Sequence, residues 1–345
     1  MHSPAGVVAE GGTHGNILPV NLILIALTAL LLETNVPTHV GLTNLSAPNV
    51  WRANTDTNTP AYAELRALMI KDEEASDEVE RWIKDSENFD KLGAGTSKAT
   101  LSLKVEQRFE VVEKLYQAFI EKYPKYAPGF LAYGSFLMDV QKEDEGVKQY
   151  ERALELDPKN PAVFNNLANH YGHRGPVQKA FGYYETAIKL APTEPVYYQN
   201  FATTVYLFRK DVQEYYRITE PEVFDKALGL YRKAMEIDPK NFLLATDLAQ
   251  SYYGIKPMRT NDALQAWTHV LNLATNDVER QGTYLHLARV EMNTGRFAES
   301  RAHLNMVTNV DFNELKERLE KAHARKSGQT NVPAVKVKPE APKTP

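Results

Sequence analysis

ALELDPKNP (153–161) returns as AIKLAPTEP (187–195) and again as AMEIDPKNF (234–242). The first two copies lie 34 residues apart, Ala153 to Ala187 and Pro158 to Pro192, and the third lies 47 further on. A fixed period in this range marks an array of stacked supersecondary units, none of which can bury its apolar face alone. Working outward from these copies, unit boundaries fall at 127–160, 161–194, 195–241, 242–277 and 281–314. Each unit contains two stretches with apolar residues at three- and four-residue spacing, for example Phe164, Leu167, Ala168 and Tyr171, then Ala180, Tyr184 and Ala187 beyond the Gly172–Gly175 break. That is the period of two helices joined by a short turn.

Four columns run through the units. A small residue recurs in the first helix at Gly134, Ala168, Ala202, Ala249 and Ala288, and a second opens the second helix at Gly146, Ala180, Ala227, Ala263 and Ser300. A large group follows four residues later at Tyr150, Tyr184, Tyr231, Trp267 and Leu304. Three residues after that come Ala153, Ala187, Ala234, Val270 and Val307. Helix axes approach closely only where side chains are small, and a ring beside the crossing fills the space to the next unit. Pro158, Pro192 and Pro239 end the second helices, because proline cannot continue the hydrogen-bond ladder.

These columns resemble the tetratricopeptide repeat over about 127–312. The resemblance implies an all-α, right-handed α-solenoid of helix-turn-helix repeats. Unit four departs from the pattern with Thr275 where the proline would stand, and unit five at Glu291 and Phe312. Unit three carries about 13 extra residues between its helices, near 208–221 (FRKDVQEYYRITEP), which read as a longer helix pair or surface excursion, or as a lip over a binding face.

The rest of the chain frames the array. Residues 1–59 hold an apolar run, ILPVNLILIALTALLL (17–32), and then a linker rich in Asn, Thr and Pro. The run is shorter than the roughly 20 residues of a membrane span and suits an export signal or anchor, although no Lys or Arg precedes it. This gives an expectation of export or membrane anchoring at the cell envelope, with a cytoplasmic protein as the alternative. Residues 60–126 read as a helical extension, 315–326 as a capping helix, and 327–345 as a Pro/Lys-rich tail without apolar periodicity.

Composition narrows the chemistry. The net charge of −4 leaves no bulk basic footprint for nucleic acid. Ten acids against four bases in 61–90 read as a solvated helix face. The chain has no cysteine, hence no disulfide, thiolate metal site or thiol nucleophile. His170 and His173 share a helix face with no third ligand placed beside them, and GAGTSK (93–98) lacks the glycine before the lysine that a phosphate loop needs. No nucleophile has an identifiable base. The expectation is a protein that is not an enzyme and needs no cofactor or metal.

In the family it resembles, the first helices line a concave face. The resemblance therefore places Asn165, Asn166, Asn169 and His173 on that face, then Asn200, Thr203 and Tyr206, then Asp247, Gln250 and Tyr253, and finally Arg289. Some family members grip an extended peptide with an asparagine ladder, and others hold a C-terminal carboxylate with lysines and arginines; here Arg289 alone among these positions is basic. An amide both donates and accepts. The expected function is a protein- or peptide-binding scaffold, with Tyr206 and Tyr253 as apolar anchors. A small-molecule or glycan-binding module, or the regulatory subunit of an enzyme, are the alternatives.

Overall fold

The computed structural model describes residues 58–91 and 97–328. The apolar run at 17–32, most of the linker after it, Gly93–Thr96 and the tail from 329 lie outside the described residues. Within them the chain is all-α, with fourteen α-helices and no strand. It forms two compact units, one ending at Pro158 and the other beginning at Lys159.

The first unit holds α1 (Pro60–Lys91), α2 (Lys98–Lys122), α3 (Ala127–Asp139) and α4 (Glu143–Leu156). Thr59 and Ser97 start α1 and α2 by accepting the backbone N–H of Tyr62 and Thr100. Tyr116 of α2 centres the core, stacked on Tyr133 at 5.5 Å and tilted against Phe136 at 5.2 Å, both on α3. The acidic stretch of α1 is solvated at Glu73, Glu74 and Asp77. Asp72, however, turns inward to accept the Tyr116 hydroxyl at 2.8 Å, and burial pushes its carboxyl up to about 6. Helix α3 crosses α4 where two glycines meet. A Cβ on Gly134 would lie 2.6 Å from the Tyr150 ring, and one on Gly146 would lie 3.1 Å from the Gly134 carbonyl.

The second unit runs through α5 (Pro161–Arg174), α6 (Val177–Leu190), α7 (Pro195–Leu207), α8 (Arg209–Tyr216), α9 (Glu220–Ile237), α10 (Phe242–Ser251), α11 (Thr260–Leu273), α12 (Asp277–Asn293), α13 (Phe297–Asn305) and α14 (Asn313–Lys326). Asn160, Asn241 and Asn276 cap α5, α10 and α12 by accepting from Ala162, Leu244 and Glu279. The four columns behave as the sequence reading expects. Ala168, Ala180, Ala202, Ala227, Ala249 and Ala263 are wholly buried, and the rings of Tyr184, Tyr231 and Trp267 are buried beside them. Helices α4, α6 and α9 stop two residues before Pro158, Pro192 and Pro239. The last pair starts at Asp277, earlier than the expected 281, because the Asn276 cap sets it.

The insertion in the third pair forms α8. Val212 is buried, Tyr215 meets Phe181 of α6 edge-on at 5.1 Å, and the Tyr216 hydroxyl donates to Glu185 of α6 at 2.5 Å. The extra residues therefore lie against a second helix of the array and do not project over the first helices as a lip.

Candidate functional site

The first helices of the second unit are α5, α7, α10 and α12, and they bring the expected polar residues into a seam. Asn200 Nδ2 donates to Asn165 Oδ1 at 3.1 Å, joining α7 to α5. Asn165 in turn donates to Asn166 Oδ1 at 3.3 Å. Gln199 Nε2 donates to Asp247 Oδ2 at 2.8 Å, joining α7 to α10. Part of the row is thus committed to holding neighbouring repeats in register. These bonds are not visible in the helical periodicity. The 34-residue offset that puts Asn165 beside the Asn200 column was the signal that could have shown them.

A second group on this face serves the buried rings. Asn169 Oδ1 accepts the Tyr184 hydroxyl at 2.7 Å, and the Thr203 and Tyr231 hydroxyls are 2.8 Å apart. A buried phenol must find such a partner or leave a polar atom desolvated. Burial raises the ionisation of both tyrosines above the ordinary range, so both stay neutral donors.

Tyr206 and Tyr253 are not where an anchoring role needs them. They are 6% and 9% exposed and belong to the core. Helix α10 ends at Ser251, and Tyr253 sits in the 3₁₀ turn Tyr252–Gly254, which re-aims its ring inward. Tyr206 lies at the end of α7 against Phe224 of α9, at 6.1 Å between ring centroids. Beside Tyr253, His286 of α12 stacks on Trp267 at 4.0 Å, with its Nδ1 3.1 Å from the Tyr253 hydroxyl. Burial and the nearby Arg289 push the His286 imidazole down to about 3, so it is neutral at physiological pH. Arg289 spreads its guanidinium over the Tyr253 ring at 4.7 Å.

His173 is exposed near the end of α5, and Gln250 is half-buried on α10. The Gln250 side-chain amide has no hydrogen-bond partner among the described residues, and neither has Asn200 Oδ1. Asp247 is half-buried, and its carboxyl is pushed up to about 6 by burial, opposed by the bond from Gln199. No group of three or more His, Cys, Asp or Glu among the described residues could hold a metal ion. No described helix is long and apolar enough to cross a membrane.

Residues 127–160, the pair α3–α4, match the family model described as Tetratricopeptide repeat. No curated protein matches the chain. Similar solved structures include PilW, described as a widely conserved type IV pilus biogenesis factor, with a TM-score of 0.48, 11% identity, and coverage of 63% of this chain and 95% of that one. The C-terminal part of a TPR repeat-containing protein from Cytophaga hutchinsonii gives 0.48 at 14%, covering 74% and 98%. YrrB, described as a TPR protein with an unusual peptide-binding site, gives 0.45 at 14%, covering 60% and 97%. The family match itself covers α3–α4, and the helix pairs and buried columns that follow repeat the same pattern of small residues and rings.

Proposed function

Because the chain is a tetratricopeptide-repeat protein, we propose that it is a non-catalytic interaction scaffold that holds an extended segment of a partner protein along the first-helix face between Asn166 and Arg289. One observation carries this reading. Half-buried amide groups, Asn200 Oδ1 and the Gln250 side chain, stand on successive first helices with hydrogen-bonding capacity that the protein does not use. An extended backbone offers donors and acceptors in alternation and can satisfy them without a demand on sequence. The glycan alternative needs exposed rings for stacking, and Tyr206 and Tyr253, the rings expected on this face, are buried. Export or anchoring through 17–32 is part of the same proposal and is independent of the face.

The test is capture of protein partners by the full chain, compared with an Asn166→Ala/Gln250→Ala variant of equal helicity by circular dichroism. Both substitutions leave the Asn200–Asn165 and Gln199–Asp247 bonds in place. Partners held by the wild type and lost by the variant support the reading. The same partners on both proteins overturn it.

A further inference from the structure

Asp247 is the acid in a row that is otherwise neutral on either side. Its own column reads Asn166, Asn200, Asp247 and His286, counted by the repeat. The fold does not call for a charge there. Asparagine fills the equivalent place in two repeats, and an asparagine oxygen would accept the Gln199 amide as well as a carboxylate does.

The carboxylate is half-buried and lacks a cation. Its one hydrogen bond comes from the Gln199 amide at 2.8 Å, and no basic group contributes to its electrostatics. Arg232 and Lys233 of α9, Arg259 before α11 and Arg289 of α12 are engaged elsewhere. Arg232 reaches the Tyr252 hydroxyl at 3.3 Å, Arg259 pairs with Asp225 at 2.6 Å, Lys233 pairs with Glu236 at 2.8 Å, and Arg289 lies over the Tyr253 ring. The hydroxyl of Tyr231, which feels the Asp247 charge, is bonded instead to that of Thr203 at 2.8 Å. A carboxylate drawn out of water with a single neutral donor is left uncompensated, and its second oxygen remains available.

We propose that Asp247 reads a basic residue: it receives the ammonium of a lysine or the guanidinium of an arginine carried by the segment bound along this face. This rests on the binding face proposed above. The ligand class it adds is a peptide with a basic side chain that passes α10. A guanidinium can meet both carboxylate oxygens, whereas an ammonium meets them as a point charge, so arginine and lysine both satisfy the site.

The test uses the full chain and a phage-displayed library of random dodecapeptides, selected in parallel on wild type, Asp247→Asn and Asn166→Ala/Gln250→Ala. Asparagine already occupies this column at 166 and 200, so Asp247→Asn keeps the helix. The expected result is enrichment of Lys or Arg at one position on wild type by roughly tenfold over the input, the factor that about 1.4 kcal/mol supplies. Asp247→Asn loses that enrichment and still captures peptides. Wild-type selections without basic enrichment, or the same enrichment on Asp247→Asn, overturn the assignment to Asp247 and leave the binding face standing. Wild type that captures no peptide, or the same peptides captured by the Asn166→Ala/Gln250→Ala variant, overturns the binding face itself, and this inference falls with it.

Discussion

The hydroxyl of Tyr184 on α6 donates to Asn169 Oδ1 on α5 at 2.7 Å, and this pairing recurs through the repeats. It occurs as Tyr150 with Ser135 at 3.1 Å and as Tyr231 with Thr203 at 2.8 Å. The partners are 15, 15 and 28 residues apart, so the third pair survives the insertion that separates its helices. Each ring fills a helix crossing and each hydroxyl is answered from the first helix. Trp267 and Leu304 take the ring position in the last two pairs and have no hydroxyl to answer.

Replacing Tyr184 by Phe removes the donor to Asn169 and the acceptor for the Thr204 hydroxyl, which sits at 3.1 Å. The expected loss is about 1 kcal/mol, since the half-buried Asn169 oxygen loses its donor while the Thr204 hydroxyl keeps the Asn200 carbonyl at 3.0 Å. Tyr215→Phe, on a ring that is 45% exposed, is expected to change stability by less than about 0.5 kcal/mol. Urea unfolding with unchanged m-values reads both. Equal losses in the two variants would count against the pairing.

Two glycine-to-alanine substitutions should have opposite signs. At Gly134 a methyl group would press on the Tyr150 ring at 2.6 Å and on the Gly146 carbonyl at 3.1 Å, for an over-packing loss of about 1–3 kcal/mol. At Gly229, within α9, a methyl group meets nothing within 4 Å, and the gain is about 0.5–1 kcal/mol from helix propensity and reduced freedom of the unfolded chain. Thermal melts of the two variants would show the split.

Asp247 and His286 make stability depend on pH in opposite directions. The Asp247 carboxyl titrates at about 6 folded against 3.8 in its ordinary state, so within that window the folded chain holds the extra proton. Its contribution is present at low pH and is lost as pH rises through about 6. His286 titrates at about 3 folded against 6.5, so the unfolded chain takes the proton and stability is lost as pH falls below about 6.5. Relative to wild type, Asp247→Asn should therefore gain stability on going from pH 4 to pH 7, and His286→Gln should gain it on going from pH 7 to pH 4. Chemical denaturation of each variant at the two pH values checks the signs.

Gln141 adopts φ 63° where α3 ends, and the backbone N–H of Lys142 returns to the Leu137 carbonyl at 2.8 Å. Gly295 makes the corresponding turn after α12, at φ 79°, with Arg296 returning to Glu291 at 2.8 Å. Left-handed backbone favours glycine. Gln141→Gly is expected to stabilise the chain by up to about 1 kcal/mol, read as a rise in melting temperature. A fall would show that Gln141 has contacts that outweigh the backbone relief.

The columns were legible because small residues and rings at a helix crossing are constrained by volume, and volume repeats with the sequence period. The face was less legible. Periodicity assigns Asn165, Asn166 and Asn200 to one side of their helices, but whether an amide on that side points outward or into its neighbour depends on the offset between helices. Tyr253 was displaced by a change from α to 3₁₀ geometry after Ser251, which no spacing rule anticipates. The burial of α8 was present in the sequence only as Val212 and the Tyr215–Tyr216 pair, too few apolar residues to show which helix they would meet.

The placement of α8 against α6 has a consequence for the surface on the other helices. Chain length was added to the third repeat without lengthening the row that runs from Asn165 through Asn200 to Asp247, where the bonds between neighbouring helices are intact. A segment laid along that row would pass two bonded helix junctions, α5 to α7 and α7 to α10, on either side of the repeat in which the sequence period breaks.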